Sequence, residues 1–282
     1  MRTCVNLAVV VAAVCAGAVT LSAQWPNYPT NGPRTTDGKI DLKGPAPRTA
    51  AGKPDFSGLW EPPATKGVSF NGLPPLPFEI PSAPDDPPVG QFFNIGGGFK
   101  DGLPFQPWAA ELRAARKGNN AKDNPDAHCL PMGLTQLHMH IQPRKVVQTP
   151  REIIVLYEAN GNTRQILTDG RALPSNSPTP WWYGYSVGHW DGDTLVVETT
   201  GFRDDVWLDV DGSPMTSAGK MTERWRRPYF GLMQVDITID DPKTYTKPFT
   251  VRVNHRLMPD TELMEFVCEE RDAGHYVGGN KK

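Results

Sequence analysis

Seventeen of the chain's 29 prolines fall between Pro26 and Pro107. Proline locks φ and carries no amide proton, so this stretch cannot be mainly helix or sheet. Residues 24–106 therefore read as an extended strap, partly polyproline II, laid over a core formed later in the chain. Gly96-Gly97-Gly98 is its most pliable point, and one short strand, 57–61, interrupts it. Phe56, Trp60, Phe70, Phe78, Phe92, Phe93, Phe99 and Phe105 argue against disorder, because chains that stay disordered lack aromatic residues.

Beyond the strap the pattern changes. Pro107 to Lys117 predicts one short helix: proline at its first position, Glu111 in its early turns, Arg113, Arg116 and Lys117 toward its end, and Gly118 to stop it. From about Thr135 apolar residues recur with period two. Strands are predicted over 135–149, 152–159, 162–169, 183–190, 193–200, 220–228, 231–239, 247–257 and 261–269. Asn160-Gly161, Asp191-Gly192, Tyr229-Phe230-Gly231 and Pro259-Asp260 supply turns between them. Short turns between neighbouring strands predict an all-β protein: an antiparallel meander of about eight to ten strands, closed into a barrel or packed as a sandwich. The domain organisation follows as the strap over 24–106 and a β-domain over 107–282, with strand 57–61 belonging to the latter.

The first 23 residues predict a secretory signal peptide. Arg2 gives a positive start, Leu7 to Val19 is almost unbroken apolar sequence, and Leu21-Ser22-Ala23 offers small residues before Gln24. Cleavage near Ala23 would place the mature protein in the periplasm or outside the cell. That chain has 282 − 23 = 259 residues and a charge of 28 − 31 = −3, counting Arg2 as removed. Such a balance argues against nucleic-acid or anionic-membrane binding. No later apolar stretch nears the roughly 20 residues of a membrane span. Cys4 and Cys15 fall in the leader, and Val14 makes Cys15 a poor lipid-attachment site. Cys129 and Cys268 remain. They predict one disulfide, closing a loop of about 140 residues and stabilising by roughly 4–5 kcal/mol in the chain-entropy model. Reactive or metal-bound thiols are the rival reading.

Two resemblances emerge. Asp55-Phe56-Ser57-Gly58-Leu59-Trp60 carries the Gly-x-Trp of the first strand of lipocalin-like (calycin) barrels, and Arg224 and Arg226 are candidates to cover that Trp. A longer set comprises Gly52 to Trp60, Cys129-Leu130-Pro131, Gln148-Thr149-Pro150, Asp169-Gly170-Arg171, Gly192 to Phe202 and Thr222-Glu223-Arg224. As a set these resemble a group of uncharacterised secreted proteins of soil bacteria, from about Gly52 to Glu270. That resemblance implies export and one shared β-rich domain; it implies no activity and no catalytic residue.

Several residues can carry chemistry. His138-Met139-His140, on a strand, would project two imidazoles from one face and chelate a divalent transition metal if further ligands converge. The sequence also loosely resembles the first cupin motif, but Gln142, Pro143, Arg144 and Lys145 stand where that motif needs a Glu. His255 shares a face with Phe249, Val251 and Val253, as a core histidine or as a general base at a barrel mouth. In Trp181-Trp182-Tyr183-Gly184-Tyr185-Ser186-Val187-Gly188-His189-Trp190, the residues Tyr183, Tyr185, Val187 and His189 share a face that could stack a planar or sugar-like molecule or fill the barrel. Glu198 shares a face with Thr194 and Val196, without an evident carboxylate partner. Arg164 and Arg171 flank Asp169-Gly170, either to bind a carboxylate or as solvated charges. Arg224, Arg226 and Arg227 are equally ambiguous. Dinucleotide, Walker, Gly-x-Ser-x-Gly and Cys-x-x-Cys motifs are absent.

The leading expectation is an exported barrel that binds a small aromatic or glycosidic molecule. As an enzyme it would be a cofactor-free lyase, isomerase or hydrolase. His189 or His255 would carry the proton, Tyr183 or Tyr185 would assist, Arg171 or Arg224 would anchor an anion, and Trp181, Trp182 and Glu198 would complete the ligand site. The alternatives are a metalloenzyme built on His138 and His140, and a non-catalytic envelope binding or scaffold protein. Oligomeric state is left open.

Overall fold

A computed structural model describes residues 28–63, 71–175 and 180–268. The expected signal peptide and Phe70 lie outside the described residues. Nine strands form a closed barrel in the order β1-β11-β10-β9-β6-β5-β4-β3-β2. They are β1 (Gly58–Glu61), β2 (Arg144–Gln148), β3 (Glu152–Tyr157), β4 (Thr163–Leu167), β5 (Tyr185–Asp191), β6 (Thr194–Thr200), β9 (Lys220–Tyr229), β10 (Leu232–Asp240) and β11 (Phe249–Leu257). A separate hairpin pairs β7 (Val206–Trp207) with β8 (Pro214–Met215). The all-β barrel is thus present, and of the two architectures predicted the sandwich is not. Its form is compatible with the lipocalin-like resemblance.

The meander holds with one exception. β4 and β5 are parallel, pairing Ile166 with Ser186. The connection between them, 168–184, is long enough to carry the chain back to the starting end. The Asp191-Gly192 turn joins β5 to β6 as expected, and Asn160 and Gly161 both adopt the positive φ that a tight turn requires.

Two predicted strands are corrected. Residues 135–149 divide into a helix, α2 (Leu134–Met139), and β2. Leu134 and Leu137 lie three apart, a helical spacing, and all six residues of α2 are buried. Period-two reading therefore misplaced His138 and His140. Residues 261–268 do not form a strand. β1 sits between β2 and β11 and closes the sheet, so no edge remains for another strand to pair with. The expected turn at Asp260 instead ties down the strap: its backbone amide donates to Thr30 Oγ1 and its carboxylate accepts from Thr30 N, both at 2.7 Å. The predicted helix is α1 (Pro107–Gly118), with Arg116 and Lys117 in its last turn. Cys129 and Cys268 are joined by a disulfide, the kind of bond that persists in oxidising compartments. No helix among the described residues is long and apolar enough to cross a membrane.

Polyproline backbone cannot build a sheet, but its carbonyls still accept hydrogen bonds. Leu42 and Gly44 accept from Gly231 and Phe230, Pro88 from Arg252, and Pro104 from Thr246. Side chains reinforce this. Arg252 on the outer face of β11 holds both Asp236 of β10, at 2.6 Å, and Asp86 of the strap.

Alternation along each strand decides the interior. On β9 Met221, Glu223, Trp225 and Arg227 face inward; opposite them on β10 are Ile239, Ile237 and Val235. Trp60, fully buried, donates from its indole to Phe56 O at 2.9 Å. The guanidinium that covers it is Arg227, 4.7 Å from the ring centre, and neither Arg224 nor Arg226. Period two explains this: Arg227 shares the parity of the inward Trp225, and Arg226 lies on the outer face, paired with Asp236 at 2.5 Å.

Candidate functional site

Above the Trp60 floor the barrel encloses charge. Glu223, fully buried on β9, is held from three sides. Arg164 of β4 donates to both of its carboxylate oxygens, one at 3.0 Å. Trp225 Nε1 donates to Oε1 at 3.2 Å. His138 Nε2, supplied by α2, lies 2.8 Å from Oε1. Arg164 in turn donates to Ser186 Oγ on β5 and Thr199 Oγ1 on β6, each at 3.1 Å. Every one of these side chains is fixed by a partner on another strand, which makes a preorganised group.

A second imidazole adjoins the first. His255 of β11 has its ring centre 5.8 Å from that of His138. Arg144 of β2 lies between strand and helix. Its Nη1 donates to His138 O at 2.6 Å and approaches His255 Nδ1 at 3.2 Å. Its Nη2 donates to His140 O at 2.6 Å and Gln142 O at 3.1 Å. Arg144 thus satisfies the carbonyls where α2 ends.

Partners assign the tautomers, because hydrogens follow from who can donate. Glu223 only accepts, so His138 carries its proton on Nε2. Arg164 Nη1, at 3.5 Å from that nitrogen, is too distant to compete with a carboxylate at 2.8 Å. His138 Nδ1 is left as a buried lone pair without a partner. Arg144 only donates, so His255 Nδ1 accepts and its proton sits on Nε2, also buried without a partner. One imidazole therefore presents a base and the other an acid.

Burial and neighbouring charges lower the pKa of both rings. Burial pushes His138 below its ordinary value; Glu223 opposes this, while Arg164 and Arg144 add to it. Burial, then Arg144 and His138, push His255 well below. Burial alone would raise Glu223, but the Arg164 charge and the His138 hydrogen bond reverse this and hold it below the usual carboxylate range. Burial draws Arg144 down to about 10, against the fields of Tyr157 and Glu61. Tyr157 of β3 and Tyr183 are both raised by burial, and Tyr183 lies within the field of Tyr157.

Of the residues singled out from sequence, His138, Arg164, His255 and Tyr183 reach this neighbourhood. His140 does not: it turns away from the bore, its Nδ1 accepting from Gln142 N at 3.1 Å and its ring meeting the edge of Phe92. Burial and Arg144 push it down to about 4. The face carrying Tyr185, Val187 and His189 looks out of the barrel, and Ser186, Gly188 and Trp190 look in. His189 is exposed. Arg171 is engaged with Asp169 at 2.6 Å and with Tyr185 Oη at 3.2 Å. Arg224 pairs with Asp191 at 2.9 Å, and Glu198 with Lys220. Trp181 is exposed, and Trp182 lies under Arg203, lining a surface groove of about 510 Å³ with Trp207 and Arg116. These residues belong to the outer surface and do not join the interior group.

Arg144, Ser186, Thr199 and Glu223 escaped sequence reasoning as site residues, and Arg164, read as a carboxylate binder or a solvated charge, grips the carboxylate of Glu223. A signal existed. Glu223 interrupts Met221 and Trp225 on one parity, and Arg164 shares parity with Ile166; a charge on the apolar parity of a strand is a candidate interior group. Among the described residues no cluster of three or more His, Cys, Asp or Glu side chains has the arrangement to hold a metal ion. No protein-family model, curated protein or solved structure matches the chain.

Proposed function

We propose that this is an exported barrel protein that binds a small molecule in its interior and moves a proton on it without a cofactor, as a lyase or isomerase. One observation carries the reading: His138 is anchored by Glu223 through Nε2 while its Nδ1, fully buried, has no partner. A carboxylate–imidazole pair of this kind makes a general base, because the carboxylate stabilises the imidazolium formed when Nδ1 takes a proton. Neutrality at pH 7 keeps Nδ1 free to accept. His255 Nε2–H supplies the complementary donor to oxygen as negative charge develops there, and the next turnover needs that proton returned. The buried surroundings strengthen each of these interactions.

A metal at His138 and His140 is disfavoured by the donor set. The two rings diverge, and the guanidinium groups of Arg144 and Arg164 adjoin His138, where they oppose a divalent cation.

The test has two parts. Nitrogen-15 spectra of the histidine rings should show His138 and His255 as neutral Nε2–H tautomers at pH 6. A thermal-shift panel of phenols, methyl glycosides and small carboxylates should contain a compound that stabilises the wild type and His189→Asn but not His138→Asn. Two imidazolium rings together with an inert panel would overturn the proposal.

A further inference from the structure

The buried charges of the interior do not balance. Arg164 is neutralised by Glu223, which it grips through both oxygens. Arg144, also fully buried, has no such counterion. It rests on three carbonyl oxygens and one imidazole nitrogen, and its Nε has no partner. The carboxylate whose field reaches it, Glu61, lies on the outer parity of β1 and already faces Arg256 at 3.7 Å. A buried cation without a paired anion is costly, and chains avoid it unless something else supplies the charge.

The unmet polar atoms point the same way. Arg144 Nε, His255 Nε2–H and the hydroxyls of Tyr157 and Tyr183 are buried and unpartnered, and all four can donate. One unmet acceptor, Nδ1, belongs to His138, whose ring centre lies 5.8 Å from that of His255. Four donors and one uncompensated positive charge describe a receptor for a single negative charge; a lone water accepts only two hydrogen bonds and leaves the charge unanswered.

We propose that the interior takes a small monoanion of the carboxylate class, its charge set against Arg144 and the His255 Nε2–H, its reacting C–H turned toward His138. This rests on the acid–base reading above and names the substrate class for that site. The Arg144 charge would also stabilise an enolate formed when the proton leaves: the C–H bond breaks, its electrons enter the carbonyl system, and the proton passes to His138 Nδ1.

Benzoate and benzyl alcohol, matched in shape and differing in charge, are the probes, at constant ionic strength in chloride. Benzoate should raise the Tm of the wild type saturably and shift the His255 Nε2 resonance, and benzyl alcohol should bind at least tenfold more weakly. Arg144→Met should remove the difference between the two, Arg144→Lys should retain part of it, and Arg171→Met on the outer face should leave it intact. The wild-type comparison needs no variant, so a misfolded Arg144→Met does not stall the test. Equal binding of both probes, sensitive to His138→Asn, would overturn the anion assignment and leave the acid–base site standing. Neither probe moving the His138 or His255 resonances would overturn both.

Discussion

Glu223 and Arg224 are sequence neighbours on β9, and each makes an ion pair with a partner on another strand. Their circumstances differ completely. Arg224 points outward, meets Asp191 at 2.9 Å, and about half of its side chain remains in solvent. Glu223 points inward to Arg164, His138 and Trp225 with no solvent at all. In water such a pair gains about 0–1 kcal/mol, because both charges were already well solvated. Inside the barrel each charge has lost its hydration, so the pair stands only because every lone pair and proton is answered. Replacing such a pair by apolar residues of similar volume is often neutral or stabilising, whereas removing one partner alone is costly.

The largest expected effect breaks the inner pair. Arg164→Met leaves Glu223 buried and unpaired and should lower unfolding stability by about 3–5 kcal/mol. Arg224→Met should cost at most about 1 kcal/mol. Urea denaturation of both variants makes the comparison direct. Adding Glu223→Leu to Arg164→Met should recover most of the loss, since no orphaned carboxylate then remains. Recovery without recovered ligand binding would separate the role of the group in function from its role in folding.

Acid sharpens the contrast. His138 and His255 have folded-state values depressed below 6.5. The unfolded chain therefore binds protons first as pH falls through 6.5, and stability declines below that point. Each ring adds a slope of up to about 1.4 kcal/mol per pH unit. Glu223 acts in the same sense further down: its contribution is present above its unfolded value of 4.5 and is lost as pH falls through its lower folded value. Stability measured between pH 7 and pH 5 should flatten in His255→Asn. An unchanged slope would mean that the rings are already charged in the folded barrel. The smallest effect belongs to the outer aromatic face. His189→Ala and Tyr185→Phe should each change stability by less than about 0.5 kcal/mol and leave any interior ligand bound.

The same contrast explains what could be read in advance. The barrel strands between 183 and 257 follow from alternation and from turn residues such as Asp191-Gly192, because these are local signals. The disulfide followed from having two cysteines outside the expected signal peptide. Parity could be read but not signed: alternation groups Tyr185, Val187 and His189 on one face of β5, and nothing local says whether that face looks in or out. The aromatic face looked like a pocket and proved to be surface. Arg227 over Trp60, in place of Arg224 or Arg226, is the same ambiguity one residue away. His138 was noticed for a chelating spacing that the helix α2 abolishes, and it matters for its pairing with Glu223 instead.

Sequence alone determined the Cys129–Cys268 disulfide, the helix after Pro107 and a period-two β-barrel, since cysteine count, helix-start proline and alternation are read directly from the chain. The tertiary structure decided the rest. Closure of β1 between β2 and β11 left residues 261–268 without an edge to join. The parallel pairing of β4 with β5 brought Arg164 to Ser186 and, across β6, to Glu223. The interior group joins residues 26, 59 and 111 positions apart. Contacts at such separations exist only after the barrel closes, because no local preference holds two charges together across that much chain.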